Sequence, residues 1–128
     1  MYSFRPVQIL SLCTLLGGCT EPGGCTLEFR IITAVIVDSA GRLLSGVSVT
    51  DTVPRTGAVL DVTGSLASWH FDGVPIFSDG FQREIAPRGD EVIVVASAAG
   101  RSGRATYRFG ADACHVRKLA GPDTVVVP

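Results

Sequence analysis

Charge of one sign is what this chain most plainly lacks: 11 basic residues stand against 12 acidic ones, for a formal net charge of −1. No excess exists of the kind that draws nucleic acid or an anionic lipid surface, so nucleic acid is not an expected partner. Lysine appears only at Lys118 and histidine only at His70 and His115. Neither histidine has a Glu or His three or four residues away, which removes the ligand spacing of zinc peptidases. A dispersed site from His70, Asp72 and His115 is the one metal arrangement left, and no spacing demands it. Serines are present at Ser65, Ser68 and Ser78, but no nucleophile elbow or Gly-rich oxyanion loop precedes a helix. No phosphate-cradling loop is present either. The expectation is a non-enzyme without metal or cofactor.

Long hydrophobic runs are also missing. The longest candidate, Val7–Leu16 (VQILSLCTLL), is too short to span a bilayer and has the length of an export-signal core. It leads into Leu16, Gly17, Gly18 and Cys19, which resemble the lipobox of bacterial lipoproteins: an aliphatic residue, two small residues and a cysteine. The resemblance implies cleavage between Gly18 and Cys19, with acyl chains on the Cys19 sulfur and then on its freed amine. Several chains anchor stably where one is reversible. Thr20, in place of the aspartate that retains many lipoproteins in the inner membrane, points to the outer membrane, facing periplasm or cell surface.

The resulting organisation is a signal peptide over 1–18, a lipidated cysteine and tether over 19–26, and one domain over 27–128. Of four cysteines, Cys13 leaves with the leader and Cys19 takes the lipid, so Cys25 and Cys114 make an even pair in an oxidising compartment. Two unpaired buried thiols are the alternative.

The abundance of Val and Ala favours strands. In Leu27–Asp38, Leu27, Phe29, Ile31, Thr33, Val35 and Val37 share one face, read as core, and the other face turns apolar at Ile32, Ala34 and Ile36, so that the later half is read as buried on both faces. Asp38–Gly41 is a turn, and a strand follows at Val47–Thr50. Within LASWHF, Ala67, Trp69 and Phe71 share a face. Trp69 is therefore read as a core residue, with a sugar-stacking surface beside His70 as the alternative. Further strands are expected at Phe81–Ala86, at Glu91–Ala98 in a central position, at Ala105–Phe109, at Cys114–Lys118 and at Thr124–Val127, with a turn at Gly100–Gly103. The Val53–Gly73 segment reads as either an extra pair of strands or a protruding loop. Arg101, Arg104, Arg108, Arg117 and Lys118 read as a solvated basic face, or as a headgroup or glycan contact.

Val35–Val49 (VIVDSAGRLLSGVSV) resembles the opening hairpin of the carboxypeptidase regulatory-like domain. Ser78–Phe81 (SDGF) and Val92–Gly100 (VIVVASAAG) resemble that family's mid-domain turn and valine-rich strand. The resemblance implies an all-β fold, a transthyretin-like Greek-key β-sandwich of about seven strands, with no enzymatic activity of its own. The expected function is a membrane-anchored binding or structural module whose partner is an envelope protein or a glycan, with Trp69 and His70 as possible contacts. A glycan- or peptide-capturing accessory of an import system is the alternative, followed by a hydrolase or metal site.

Overall fold

The structure is a computed structural model that describes residues 24–67 and 72–128. Alternating apolar residues and closely spaced turns produce eight described strands: β1 (Ile31–Asp38), β2 (Ser48–Val53), β3 (Ala58–Asp61), β4 (Val74–Ser78), β5 (Asp90–Ala98), β6 (Arg101–Ala111), β7 (Val116–Ala120) and β8 (Thr124–Val127). They form two sheets, β4-β1-β8 and β3-β2-β5-β6-β7, packed as an all-β sandwich.

The central strand is β5, antiparallel to both β2 and β6. Val92, Val94 and Ala96 point into the core and are fully buried, while Glu91 on the opposite face is exposed. The β5–β6 connection is a two-residue hairpin at Ala99 and Gly100, both with positive φ (50° and 73°). That is the geometry of a type I′ turn, whose twist matches the flanking strands.

The core joins Ile36, Ile76 and Phe77 of the smaller sheet to Val49, Val53, Val94, Tyr107 and Phe109 of the larger. Phe77 stacks across the sandwich on Phe109 at 4.5 Å, and Tyr107 stacks on Phe109 at 5.4 Å. Each such side chain contributes about 1.5–3 kcal/mol by leaving water. Strand β8 runs parallel to β1 and packs against β6 as well. Gly103 makes that approach possible, because a Cβ there would collide with the backbone carbonyl of Val126.

Three sequence expectations need correction. Leu27, Phe29 and Val35 do not face the core: Leu27 is fully exposed, Ala34 and Ile36 are buried on the other face, and burial on both faces holds only at the end of the strand, where Val37 is buried beside Ile36. Both faces of the segment are apolar, so either could have been buried, and the pairing of β1 with β4 and β8 selects one. The strand expected at Phe81–Ala86 is instead a 3-10 helix over Asp79–Glu84. Ser78 Oγ accepts from Gly80 N–H at 3.3 Å, and Asp79 is drawn to neighbouring elements, which overrules the local alternation. The turn expected at Gly100–Gly103 sits at Ala99–Gly100, and Gly103 belongs to β6.

In Val53–Gly73, the described part is one edge strand, β3, followed by a helical turn over Val62–Ser65. Asp61 caps that turn by accepting from Gly64 N–H at 2.9 Å. The two ends of the sandwich are distinct. One end collects the start of β1, the 3-10 helix and the β6–β7 loop. The other carries the Asp38–Gly41 and Ala99–Gly100 turns.

Candidate functional site

The first end is fastened covalently. Cys25 and Cys114 form a disulfide with Cα atoms 5.2 Å apart and 89 residues between them in sequence, which attaches the segment before β1 to the β6–β7 loop. The loop is shaped by Asp112, whose Oδ1 accepts from Cys114 N–H (2.8 Å) and His115 N–H (2.7 Å). Those two bonds hold its carboxyl below the usual range.

Next to the disulfide lies a polar relay. His115 Nδ1 donates to Asp79 Oδ2 at 2.7 Å, and Nε2 stands 3.0 Å from Thr26 Oγ1. Asp79 Oδ2 also accepts from Arg30 N–H (2.8 Å), and Oδ1 accepts from Val116 N–H (2.7 Å). Burial pushes the Asp79 carboxyl up, but the Arg30 N–H, His115 and the Val116 N–H together bring it below its ordinary value. An ionised Asp79 must accept, so Nδ1 carries a hydrogen. In the neutral ring Nε2 is then the acceptor for the Thr26 hydroxyl.

Asp79 thereby connects β1, the 3-10 helix and β7, and His115 extends the connection to Thr26. The same end holds the Arg55–Asp90 pair (2.7 Å). There Arg55 first, and the Ala86 N–H in addition, outweigh burial and keep the Asp90 carboxyl low. A cleft of about 360 Å³ opens beside the relay, lined by Thr26, Glu28, Arg30 and the 112–115 loop.

A second group of note lies in the core. Asp51 on β2 sits in the inward phase between Val49 and Val53, has no exposed surface, and neither carboxyl oxygen has a hydrogen-bond partner. Burial alone raises its pKa to about 8. The hydroxyl of Tyr107, also on the inner face of the larger sheet, is likewise without a partner. Its pKa is pushed up to about 12, first by burial and then by Asp123 and Asp51.

Of the residues singled out in the sequence, the structure brings Cys25 and Cys114 together. Gly18, Cys19, Ser68, Trp69, His70 and Phe71 lie outside the described residues. His115 belongs to the relay with Asp79 and Thr26. Among the described residues no three His, Cys, Asp or Glu side chains converge to hold a metal, and no helix is long and apolar enough to cross a membrane.

Sequence reasoning missed Asp79, Asp112, Thr26 and Asp51. Asp51 was discoverable, because a carboxylate stands in the inward position of the alternating run V-x-D-x-V. The Asp79–His115 pair was not, since its members lie 36 residues apart. Comparison of the chain with protein-family models, curated proteins and solved structures finds no match.

Proposed function

We propose that this chain is a non-catalytic β-sandwich module of the bacterial cell envelope. It is exported by residues 1–18, cleaved before Cys19, anchored through acyl chains on Cys19, and sorted to the outer membrane. The observation that carries the reading is the Cys25–Cys114 disulfide. A structural disulfide of this kind persists in oxidising compartments, and this one lies six residues after Cys19, the cysteine of the lipobox-like run.

The relay supports the same reading. Thr26 and Arg30 are tied to His115 and Asp79, so a pull on the tether is borne by the sandwich body instead of unzipping β1. The opposite end is left to meet an envelope protein or a glycan. Intact-mass analysis of the mature protein is the test. Acyl chains on Cys19, absent from the Cys19→Ala variant, are expected; a mature chain with an unmodified Cys19 overturns the anchor. In its narrower form the module captures a glycan or peptide with Trp69 and His70 in contact. Because Trp69 is the sole tryptophan, a change in its emission on adding envelope oligosaccharide or peptide reads that contact directly.

A second reading rests on one observation, the hydroxyl–imidazole–carboxylate order of Thr26, His115 and Asp79. That order is the arrangement of an activated nucleophile. Covalent labelling of Thr26 by a phosphonylating probe, lost in His115→Ala, would favour it. An unlabelled Thr26 leaves the relay as a structural latch.

A further inference from the structure

Cys19 precedes Cys25 by six residues, a span of about 20 Å even when fully extended. The disulfide fixes the far side of that span to the 112–115 loop. Each headgroup layer takes up about 5–8 Å, so the remaining slack is about one domain radius. Strand β6 alone, with 11 residues, measures about 36 Å. A domain held in this way keeps its stapled end near the bilayer and its opposite end well away from it.

The stapled end has the surface for that position. Leu27, one residue after the Thr26 contact with His115, projects fully into solvent. An apolar side chain held there has no partner within the sandwich. Arg30, Arg83 and Arg88 are exposed at this end, while Asp79 and Asp90 direct their carboxyl oxygens inward to backbone N–H groups, His115 and Arg55, and the exposed Asp112 accepts from the N–H groups of its own loop. Glu28, Glu84 and the Asp90-paired Arg55 are exposed on this side as well. Long arginine side chains can lay their stems on apolar surface and deliver the guanidinium to phosphate. The chain's near-zero net charge gives no long-range attraction to a membrane, and none is needed when the tether already supplies a high local concentration of lipid.

We propose that this end is a docking face for the phospholipid surface itself, with Leu27 entering the boundary between headgroups and acyl chains and Arg30, Arg83 and Arg88 meeting lipid phosphates. The docking rests on the anchored reading above and adds an orientation to it. The domain lies on the bilayer by one defined face instead of swinging on its tether.

The test uses the full lipoprotein, purified from its membrane and reconstituted into vesicles of phosphatidylcholine carrying brominated acyl chains, which quench tryptophan on contact. Two variants, Leu27→Trp and Leu43→Trp, add a reporter at an exposed position on the stapled end and on the opposite end. Each is read against the Trp69 background of the parent. Intact mass is recorded on the same samples. Acylated Cys19 with loss of the added Leu27→Trp emission, and retention of the added Leu43→Trp emission, is the expected result. Acylated Cys19 with no quenching at either position, or equal quenching at both, overturns the docking face and leaves the anchor standing. An unacylated Cys19 overturns the anchor and the docking face with it.

Discussion

Two aspartates, one half-buried and one fully buried, show how differently the two regions of this sandwich treat a carboxylate. At the stapled end Asp79 accepts two backbone N–H groups and the His115 ring, and remains easily ionised. In the core Asp51 has no partner for either oxygen and holds its proton to about pH 8. The residue type is the same; Asp79 is half-buried and has donors, whereas Asp51 is fully buried and has none. A carboxylate with three donors ties separate elements together, whereas one with none favours the neutral acid and makes the fold less stable as pH rises from about 4 toward 8. The stapled end therefore gains from ionisation, and the core loses by it.

The largest effect in this comparison is expected from the staple. Replacing both Cys25 and Cys114 by Ser releases a loop of 89 residues in sequence separation. The chain-entropy model values that closure at up to about 4–5 kcal/mol, an upper figure. Urea unfolding of the double variant should show a midpoint well below that of the parent. An unchanged midpoint would mean that the Asp79–His115–Thr26 contacts alone secure this end.

The next effect in size concerns Asp51. Its folded pKa of about 8 lies above the value near 4 of an unfolded chain. Its contribution is fully present below pH 4 and is lost as pH rises toward 8, reaching on the order of 4 kcal/mol at pH 7. Asp51→Asn, which cannot ionise, should be more stable than the parent at pH 7 to 8 and should have a flatter stability profile between pH 4 and 8. Identical profiles for the two proteins would show that Asp51 is ionised and partnered in the folded state, and the contrast with Asp79 would disappear.

The smallest of the three is Asp79→Asn. The variant keeps the shape but replaces a charged acceptor with an amide, so the bonds from His115, Arg30 N–H and Val116 N–H weaken, at a cost of about 2–3 kcal/mol. The sign of its pH dependence is opposite to that of Asp51. Because the folded pKa is depressed, the stabilisation exists above pH 4 and is lost as pH falls through the lowered folded value. Acid unfolding followed by circular dichroism should show the parent losing this advantage below pH 4, where it converges with Asp79→Asn. A constant gap across that range would assign the effect to packing instead of charge.

The features that were legible in the sequence depended on near neighbours. Strand β5 was visible because apolar side chains fill its inward positions from Val92 to Ala98 and half of its outward ones. The turn at Asp38 was visible because Asp38 serves its own backbone, accepting from Ala40 N–H and Arg42 N–H. Strand β8 followed the Gly121–Pro122 break as expected. Misreadings arose where distant residues intervened. Phe81 alternates as a strand residue should, yet it lies in a 3-10 helix because Asp79 in the first turn is committed to Arg30, His115 and Val116. Leu27 has the phase of a core residue, yet the attachment of Cys25 to Cys114 leaves it in solvent ahead of β1. Half of the candidate site was legible: the cysteines could be paired by counting, but their neighbours Thr26, Asp79 and Asp112 carried no local mark of what they would contact.

By itself the sequence determined that strands alternate, where most of them turn, that an apolar run precedes Cys19, and that Cys25 and Cys114 are the two cysteines within the domain. These follow from periodicity, turn chemistry and counting, each of which acts over a few residues or over none. Only the tertiary structure decided which face of β1 is buried, which aspartate obtains donors and which is left without, and that a threonine, a histidine and an aspartate from three separate stretches meet beside the disulfide. Hydrogen-bond satisfaction is set by what the packed sheets bring within about 3 Å, and a one-dimensional pattern does not contain that distance.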